Sequence, residues 1–239
     1  EPINFKNKLL SWAQQYPEIF WFETNAEIPG NINDYNKFDA ILAVGAQKKI
    51  SCDSKHAFDK LKTFLSTQND FAFGCFSYDL KNDIETLKSE NPDQINWEEL
   101  YFIQPKKIFF LRRDHIDLTY LNQYADEIDT DFSSIDKIES RIAIKHKGIR
   151  IKKRISKEDY FSKIERIQHH IHRGDIYEMN FCMEYYAEDA YIDPLAVYQK
   201  LNRITGSPFA TFLKVRDKYL LSGSPERFVK KAGNKVISQ

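Results

Sequence analysis

Glycine is scarce in this chain, with 8 in 239 residues, about half the usual share of roughly 7%. Neither GxGxxG nor GxxxxGK[ST] occurs, so the backbone cradles that dinucleotide and P-loop sites require are missing. Cysteine is as sparse: Cys52, Cys75 and Cys182 are widely spaced, odd in number and without a CxxC pair. That excludes a disulfide framework and a cysteine zinc site, and predicts buried free thiols in a reducing compartment. No sign of charge dominates, since 35 Lys and Arg balance 35 Asp and Glu. A domain held mainly by phosphates would carry a basic excess, so nucleic acid is not an expected partner. The longest apolar run, Ala40 to Ala46, falls far short of the roughly 20 residues of a membrane helix, and no membrane association is expected. The N-terminus has no basic or apolar signal region and opens on Glu1-Pro2, so the expectation is a cytoplasmic protein whose true start lies upstream.

What is present is core material: 42% of residues are hydrophobic and 14% aromatic, enough for one large domain or two small ones. The pattern predicts a helix over Asn4 to Gln15, a strand over Ile19 to Glu23, and buried strands over Phe38 to Val44 and Asp70 to Tyr78. Between the last two lies a helix near Lys55 to Leu65 with Phe58, Leu61 and Leu65 on one face. Tyr101 to Ile103, Ile108 to Leu111 and Ile116 to Leu121 read as meandering antiparallel sheet, the last pair joined by a turn at Arg113-Asp114-His115. Asp126 to Arg154 reads as a linker. Its basic end, Lys145 to Arg154, reads as a solvated connector or, alternatively, an anion or nucleic-acid contact. The chain then divides into regions 1–145 and 146–239.

The second region has sharper signals. Ser156 with Asp159 opens a helix whose stripe Phe161, Ile164, Ile167 and Ile171 runs to Gly174. Tyr177 to Tyr185 alternates as a strand, with Tyr177, Met179, Phe181, Met183 and Tyr185 on the core face and Glu178, Asn180, Cys182 and Glu184 on the other. Asp193-Pro194 starts a helix with Leu195, Tyr198, Leu201 and Ile204 inward, closed by Gly206. Phe209 to Val215, Tyr219 to Ser222 and Arg227 to Val229 read as strands of one sheet. His169, His170 and His172 lack a third ligand and read as a solvated helix end. Ser222 and Ser224 lack the GxSxG elbow of a hydrolase. Glu226 follows a proline between two strand-like runs, where a carboxyl can be aimed into a cleft as an acid or base, or can be a plain surface group; Glu178 and Asn180 could line a polar pocket.

Four segments occur in order: Gly174-Asp175-Ile176-Tyr177-Glu178-Met179-Asn180-Phe181, then Asp193-Pro194-Leu195 to Tyr198, then Ser207-Pro208-Phe209-Ala210-Thr211-Phe212-Leu213, and Ser222-Gly223-Ser224-Pro225-Glu226-Arg227-Phe228. Together they resemble the chorismate-binding enzymes, which include anthranilate synthase component I, aminodeoxychorismate synthase component I, and the isochorismate and salicylate synthases. Upstream, Phe73-Gly74-Cys75-Phe76-Ser77-Tyr78-Asp79 is similar to the family's FGYxSYD strand. The resemblance implies an α+β fold, an antiparallel two-layer β-sandwich with outer helices, incomplete here at its C-terminus. It gives Glu226 the role of the acid/base that assists loss of the ring hydroxyl, a role that a partly desolvated carboxyl of raised pKa suits. It places Asn180, Ser224 and Glu178 against chorismate. It also implies Mg²⁺ clamping the chorismate carboxylate as a Lewis acid and template, with ligands expected after Gln239 and none in this chain.

Within the family, Glu178 stands where isochorismate and salicylate synthases carry a water-activating Lys, which disfavours both. Asn180 and the S-P-E-R-F loop resemble aminodeoxychorismate synthase, although that group usually has Gln at Glu178. The implied reaction is amination of chorismate to 4-amino-4-deoxychorismate for para-aminobenzoate and folate, with ammonia from a glutamine amidotransferase subunit. Anthranilate synthase component I is the alternative, and a non-catalytic split or binding subunit a further one. Family members continue from this chain's end into P-I-K-G-T, whose Lys is a nucleophile, or P-I-A-G-T. The given chain is therefore expected to be the N-terminal part of a longer enzyme and inactive alone. Thr205-Gly206-Ser207-Pro208-Phe209 matches the family's N-P-S-P-Y, implying a tryptophan site at Pro208 and Phe209 with the Phe22 to Thr24 strand, or else a plain turn on the core.

Overall fold

The computed structural model describes residues 2–28, 38–87, 89–139 and 148–238. In chain order its elements are helix α1 (Pro2–Ala13), strands β1 (Glu18–Glu23) and β2 (Ala40–Cys52), helix α2 (Ala57–Ser66), strands β3 (Phe73–Phe76), β4 (Leu100–Leu111) and β5 (Ile116–Tyr120), and helix α3 (Ile128–Asp136). There follow β6 (Lys152–Lys153), α4 (Lys157–Arg173), β7 (Tyr185–Tyr186), α5 (Pro194–Thr205), β8 (Phe209–Val215), β9 (Lys218–Ser224), β10 (Lys230–Ala232) and β11 (Lys235–Ile237). They fall into two compact units, Glu1–Ile142 with Pro194–Gln239, and Ala143–Asp193.

The larger unit is built on one antiparallel sheet in the order β3-β4-β2-β1-β8-β9, with β5 also on β4. The run Glu18-Ile19-Phe20-Trp21-Phe22-Glu23 takes a central place because it is apolar on both faces. Ile19 and Trp21 point to one side and Phe20 to the other, all at most 1% exposed. Burying each such side chain contributes about 1.5–3 kcal/mol. On the Trp21 side the sheet packs against Leu9, Trp12 and Ala13 of α1, Ile135 of α3, and Leu195 and Tyr198 of α5. On the Phe20 side it curls over itself. Phe73 of β3 comes within 6.2–6.4 Å, ring to ring, of Phe22 and Phe20 of β1, although β4 and β2 lie between them in the sheet. The facing layers are thus two parts of one curled sheet with helices outside, and the expected α+β antiparallel class holds.

Several local expectations need correction. Tyr101 to Ile103 and Ile108 to Leu111 form one strand, β4, despite Pro105. That proline lies where the β2 ladder shifts register, between Ala46 and Lys48, and in the gap between the β3 and β5 pairings on the other side, so its missing N–H costs little. On α2 the inward residues are Ala57 and Leu61, whereas Phe58 and Leu65 are exposed. Ile204, near the end of α5, is also exposed. The linker assigned to Asp126–Arg154 contains α3, which buries Asp131 and Ile135; 140–147, with the start of the basic run, lies outside the described residues. Arg227 to Val229 is not a strand, and β10 and β11 form a separate hairpin. Cys52 and Cys75 are partly buried free thiols, but Cys182 is exposed.

The smaller unit consists of α4 and a two-stranded ladder, Lys152 with Tyr186 and Lys153 with Tyr185. The start of α4 follows the sequence reading: Ser156 Oγ accepts from the Asp159 N–H at 3.0 Å, and Gly174, at φ 83, closes the helix. Residues 176–184 do not form the expected strand. Their alternation suits a sheet, but among the described residues no ladder partner lies alongside, and Tyr177 is 91% exposed.

Candidate active site

The glutamate loop is positioned by a hairpin. β8 pairs with β1 from Glu18↔Val215 to Glu23↔Ala210 and with β9 from Phe209↔Ser224 to Val215↔Lys218. Its two-residue turn places Arg216 at φ 58. Where β9 ends, the Ser224 hydroxyl closes a local turn, donating to the Glu226 carbonyl at 3.0 Å and accepting the Glu226 N–H at 3.4 Å. The carboxyl of Glu226 is thereby presented at the end of the sheet on an exposed residue. Arg227 turns back, its guanidinium 5.0 Å from the Phe209 ring centre. Ser224, expected against the substrate, thus also shapes the turn that carries Glu226.

Glu178 and Asn180 lie two residues apart on the 176–184 segment of the smaller unit, both exposed. Of the apolar residues expected on the opposite face, Phe181 packs on Tyr160 of α4 at 5.6 Å. The structure therefore brings Ser224 and Glu226 together in one unit and keeps Glu178 with Asn180 in the other.

Pro208 and Phe209 meet the Phe22 to Thr24 strand in an open groove of about 800 Å³. Phe38 and Ile41 add to its apolar wall, with Arg227, Lys231 and Lys235 among its cations. A buried polar network behind the groove fixes this geometry. Glu23 Oε2 accepts from Trp21 Nε1 at 3.2 Å, Asn202 Nδ2 at 3.0 Å and the Tyr198 hydroxyl at 3.4 Å, and Glu23 Oε1 from Lys6 Nζ at 2.8 Å. Asn25, held at φ 47, donates to Asn202 Oδ1 at 2.7 Å and to the Ser207 carbonyl at 2.8 Å. Burial first, and then the Glu23 charge, raise the pKa of Tyr198, keeping it a neutral donor. The sequence reading missed this network. Its one local sign was a Glu closing the apolar run of β1.

Among the described residues, no three His, Cys, Asp or Glu side chains converge as metal ligands. They do not make a Mg²⁺ site. His170 is paired with Asp175, Nδ1 to Oδ2 at 2.7 Å, which with Arg173 holds the Asp175 carboxyl below its ordinary pKa. Among the described residues no helix is long and apolar enough to cross a membrane.

A sequence model of the family described as chorismate binding enzyme matches residues 16–239. Anthranilate synthase component 1 of Thermus thermophilus is 24% identical over 176 residues, covering 70% of this chain and 37% of the relative. Aminodeoxychorismate synthase component 1 of Bacillus subtilis is 26% identical over 176 residues, covering 68% and 37%. The crystal structure of anthranilate synthase component I from Streptococcus pneumoniae superimposes with a TM-score of 0.65 at 17% identity, covering 86% of this chain and 54% of that one. The chain thus spans little more than a third of these curated relatives. With a matched segment that takes in the curled sheet, α5 and the Ser224-Pro225-Glu226 loop, the chain belongs to the chorismate binding enzyme family.

Proposed function

We propose that this chain is part of an aminodeoxychorismate synthase component I, which replaces the C4 hydroxyl of chorismate with an amino group. Ammonia comes from a glutamine amidotransferase partner, and the product serves folate synthesis in the cytoplasm. The observation that carries the reading is the Ser224-Pro225-Glu226-Arg227-Phe228 loop, which presents Glu226 at the end of the sheet in a chain of the chorismate-binding family. In the reaction the ring C–O bond breaks as the Glu226 carboxyl gives its proton to the departing oxygen, which leaves as water. A C–N bond forms to ammonia, and the proton lost from nitrogen restores the carboxyl. Glu178 and Asn180 contact the polar groups of chorismate. Mg²⁺ would be held by residues other than those described and would supply Lewis-acid chemistry at the chorismate carboxylate.

Asn180 and Arg227-Phe228 favour amination over anthranilate formation, although relatives of both names match at similar identity. Mass-resolved product analysis of the native-length gene product with chorismate, Mg²⁺ and ammonium separates the two. Aminodeoxychorismate without pyruvate is expected. Anthranilate with pyruvate would move the protein to the other reaction, and no product from a folded enzyme would make it a binding subunit. We also propose that the groove beside Phe22, Thr24, Pro208 and Phe209 takes tryptophan, a reading supported by its apolar wall and cationic rim.

A further inference from the structure

The curled sheet ends in two strands that each have a single ladder partner among the described residues, β3 on β4 and β9 on β8. Both edges open on one cavity of about 1050 Å³, to which β3 contributes Cys75 and Phe76, and β9 contributes Tyr219 and Leu220. The edges are fixed there by Arg216, which donates to Glu98 at 2.9 Å, and by Lys218, which donates to the Asn96 carbonyl. The apolar walls face solvent: Phe76 is 52% exposed, Tyr78 85% and Ile95 67%. Such a patch on a folded chain marks an interaction surface.

The charge around these walls is mainly acidic. Asp79, Glu90, Asp93 and Glu99 line the cavity, and the described cation, Lys81, is held by Asp79 and lies 4.6 Å from the Tyr78 ring centre. Glu99 takes the Ser77 hydroxyl. Burial, and then the charges of Asp79 and Asp93, push its carboxyl upward in pKa, the response of an anion that a nearby cation would relieve. An extended strand presents side chains alternately to its two faces, and an unpaired sheet edge offers it a row of backbone partners.

We propose that this cavity receives an extended segment of a partner protein in which basic side chains alternate with apolar ones. The segment adds along the β3 edge, its apolar side chains against Trp97 and Leu220 and its cations against Asp79 and Asp93. This surface is independent of the role read for Glu226.

The test uses the fluorescence of Trp97, which lines the cavity, whereas Trp12 and Trp21 are buried. The chain is titrated with a blocked peptide of about eight residues alternating Lys and Val, and with the same peptide carrying Glu for Lys. Saturable binding of the Lys peptide is expected, with none of the Glu peptide. Asp93→Lys is expected to weaken it by about tenfold or more, and Leu220→Asp to abolish it, in variants whose circular dichroism matches the parent. No saturable response, an equal response to both peptides, or a response untouched by either substitution overturns the proposal. So does a dimer in sedimentation that Leu220→Asp dissolves, because the cavity would then belong to a second copy of this chain.

Discussion

Lys107 stands at the head of the apolar run Ile108-Phe109-Phe110-Leu111 and is only 2% exposed. Its ammonium binds Asp131 of α3 and reaches Glu127 at 2.6 Å, with Tyr120 donating to the same Asp131 oxygen that Lys107 binds, at 2.9 Å. Burial opposes the charge, and the hydrogen bonds to Asp131, Glu127 and Tyr16 outweigh it, so the pKa rises. A raised folded-state pKa gives a contribution that is complete below the unfolded value and lost only as pH climbs through the folded one. Stability from Lys107 is therefore constant across neutral pH. Lys107→Ala would leave the Asp131 carboxylate buried without its cation, and urea unfolding should show a loss of about 3–5 kcal/mol. Lys107→Met combined with Asp131→Asn should restore most of it; a single-variant loss below about 1 kcal/mol would mean that the pair is not buried in solution. Single residues of this kind were hard to read from the sequence, since Lys107 resembles any strand-end lysine until α3 closes over it. Glu226 stands out in the sequence because it follows Pro225 at the end of a strand, although the run after it, Arg227 to Val229, is not a strand.

Elements were read most accurately where their ends carry their own chemistry. Ser156 and Gly174 bracket α4 through side-chain and backbone bonds that need no distant partner. The 176–184 segment shows the opposite case, since alternation makes a strand only where a neighbour supplies the ladder. Helix α3 was missed because its apolar stripe is short, and it is held by α1 and the buried Lys107 rather than by its own pattern. β3 depends on one glycine for a reason invisible in the sequence. A Cβ on Gly74 would stand 2.2 Å from the Tyr101 carbonyl oxygen and 2.3 Å from Phe102 Cγ, where backbone leaves no room to shift. Gly74→Ala should therefore pry β3 from β4 at a cost of about 3 kcal/mol. Amide exchange should increase first at Phe73–Phe76, and unchanged protection there would contradict the packing described.

For the molecule as a whole, the α+β class and the family were legible because the motif segments are closely spaced strand and turn signatures. The curl was not, since the Phe22–Phe73 contact joins residues far apart in sequence. The proposed tryptophan site belongs to this scale, because the groove at Pro208 and Phe209 is held from behind by α1, β1 and α5 together. A ligand specific to the native state stabilises it by RT ln(1 + [L]/Kd), about 2.7 kcal/mol at a hundredfold excess over Kd. Saturating tryptophan should then raise Tm by several degrees, and an unchanged Tm would leave the groove a plain turn on the core. The proposed role of Glu226 as proton donor is tested by steady-state kinetics of the native-length gene product and its Glu226→Gln variant with chorismate and ammonium. A kcat lower by about 10²–10⁴-fold with chorismate affinity essentially unchanged is expected, whereas a variant within tenfold of the parent kcat would take the proton-donor role from Glu226.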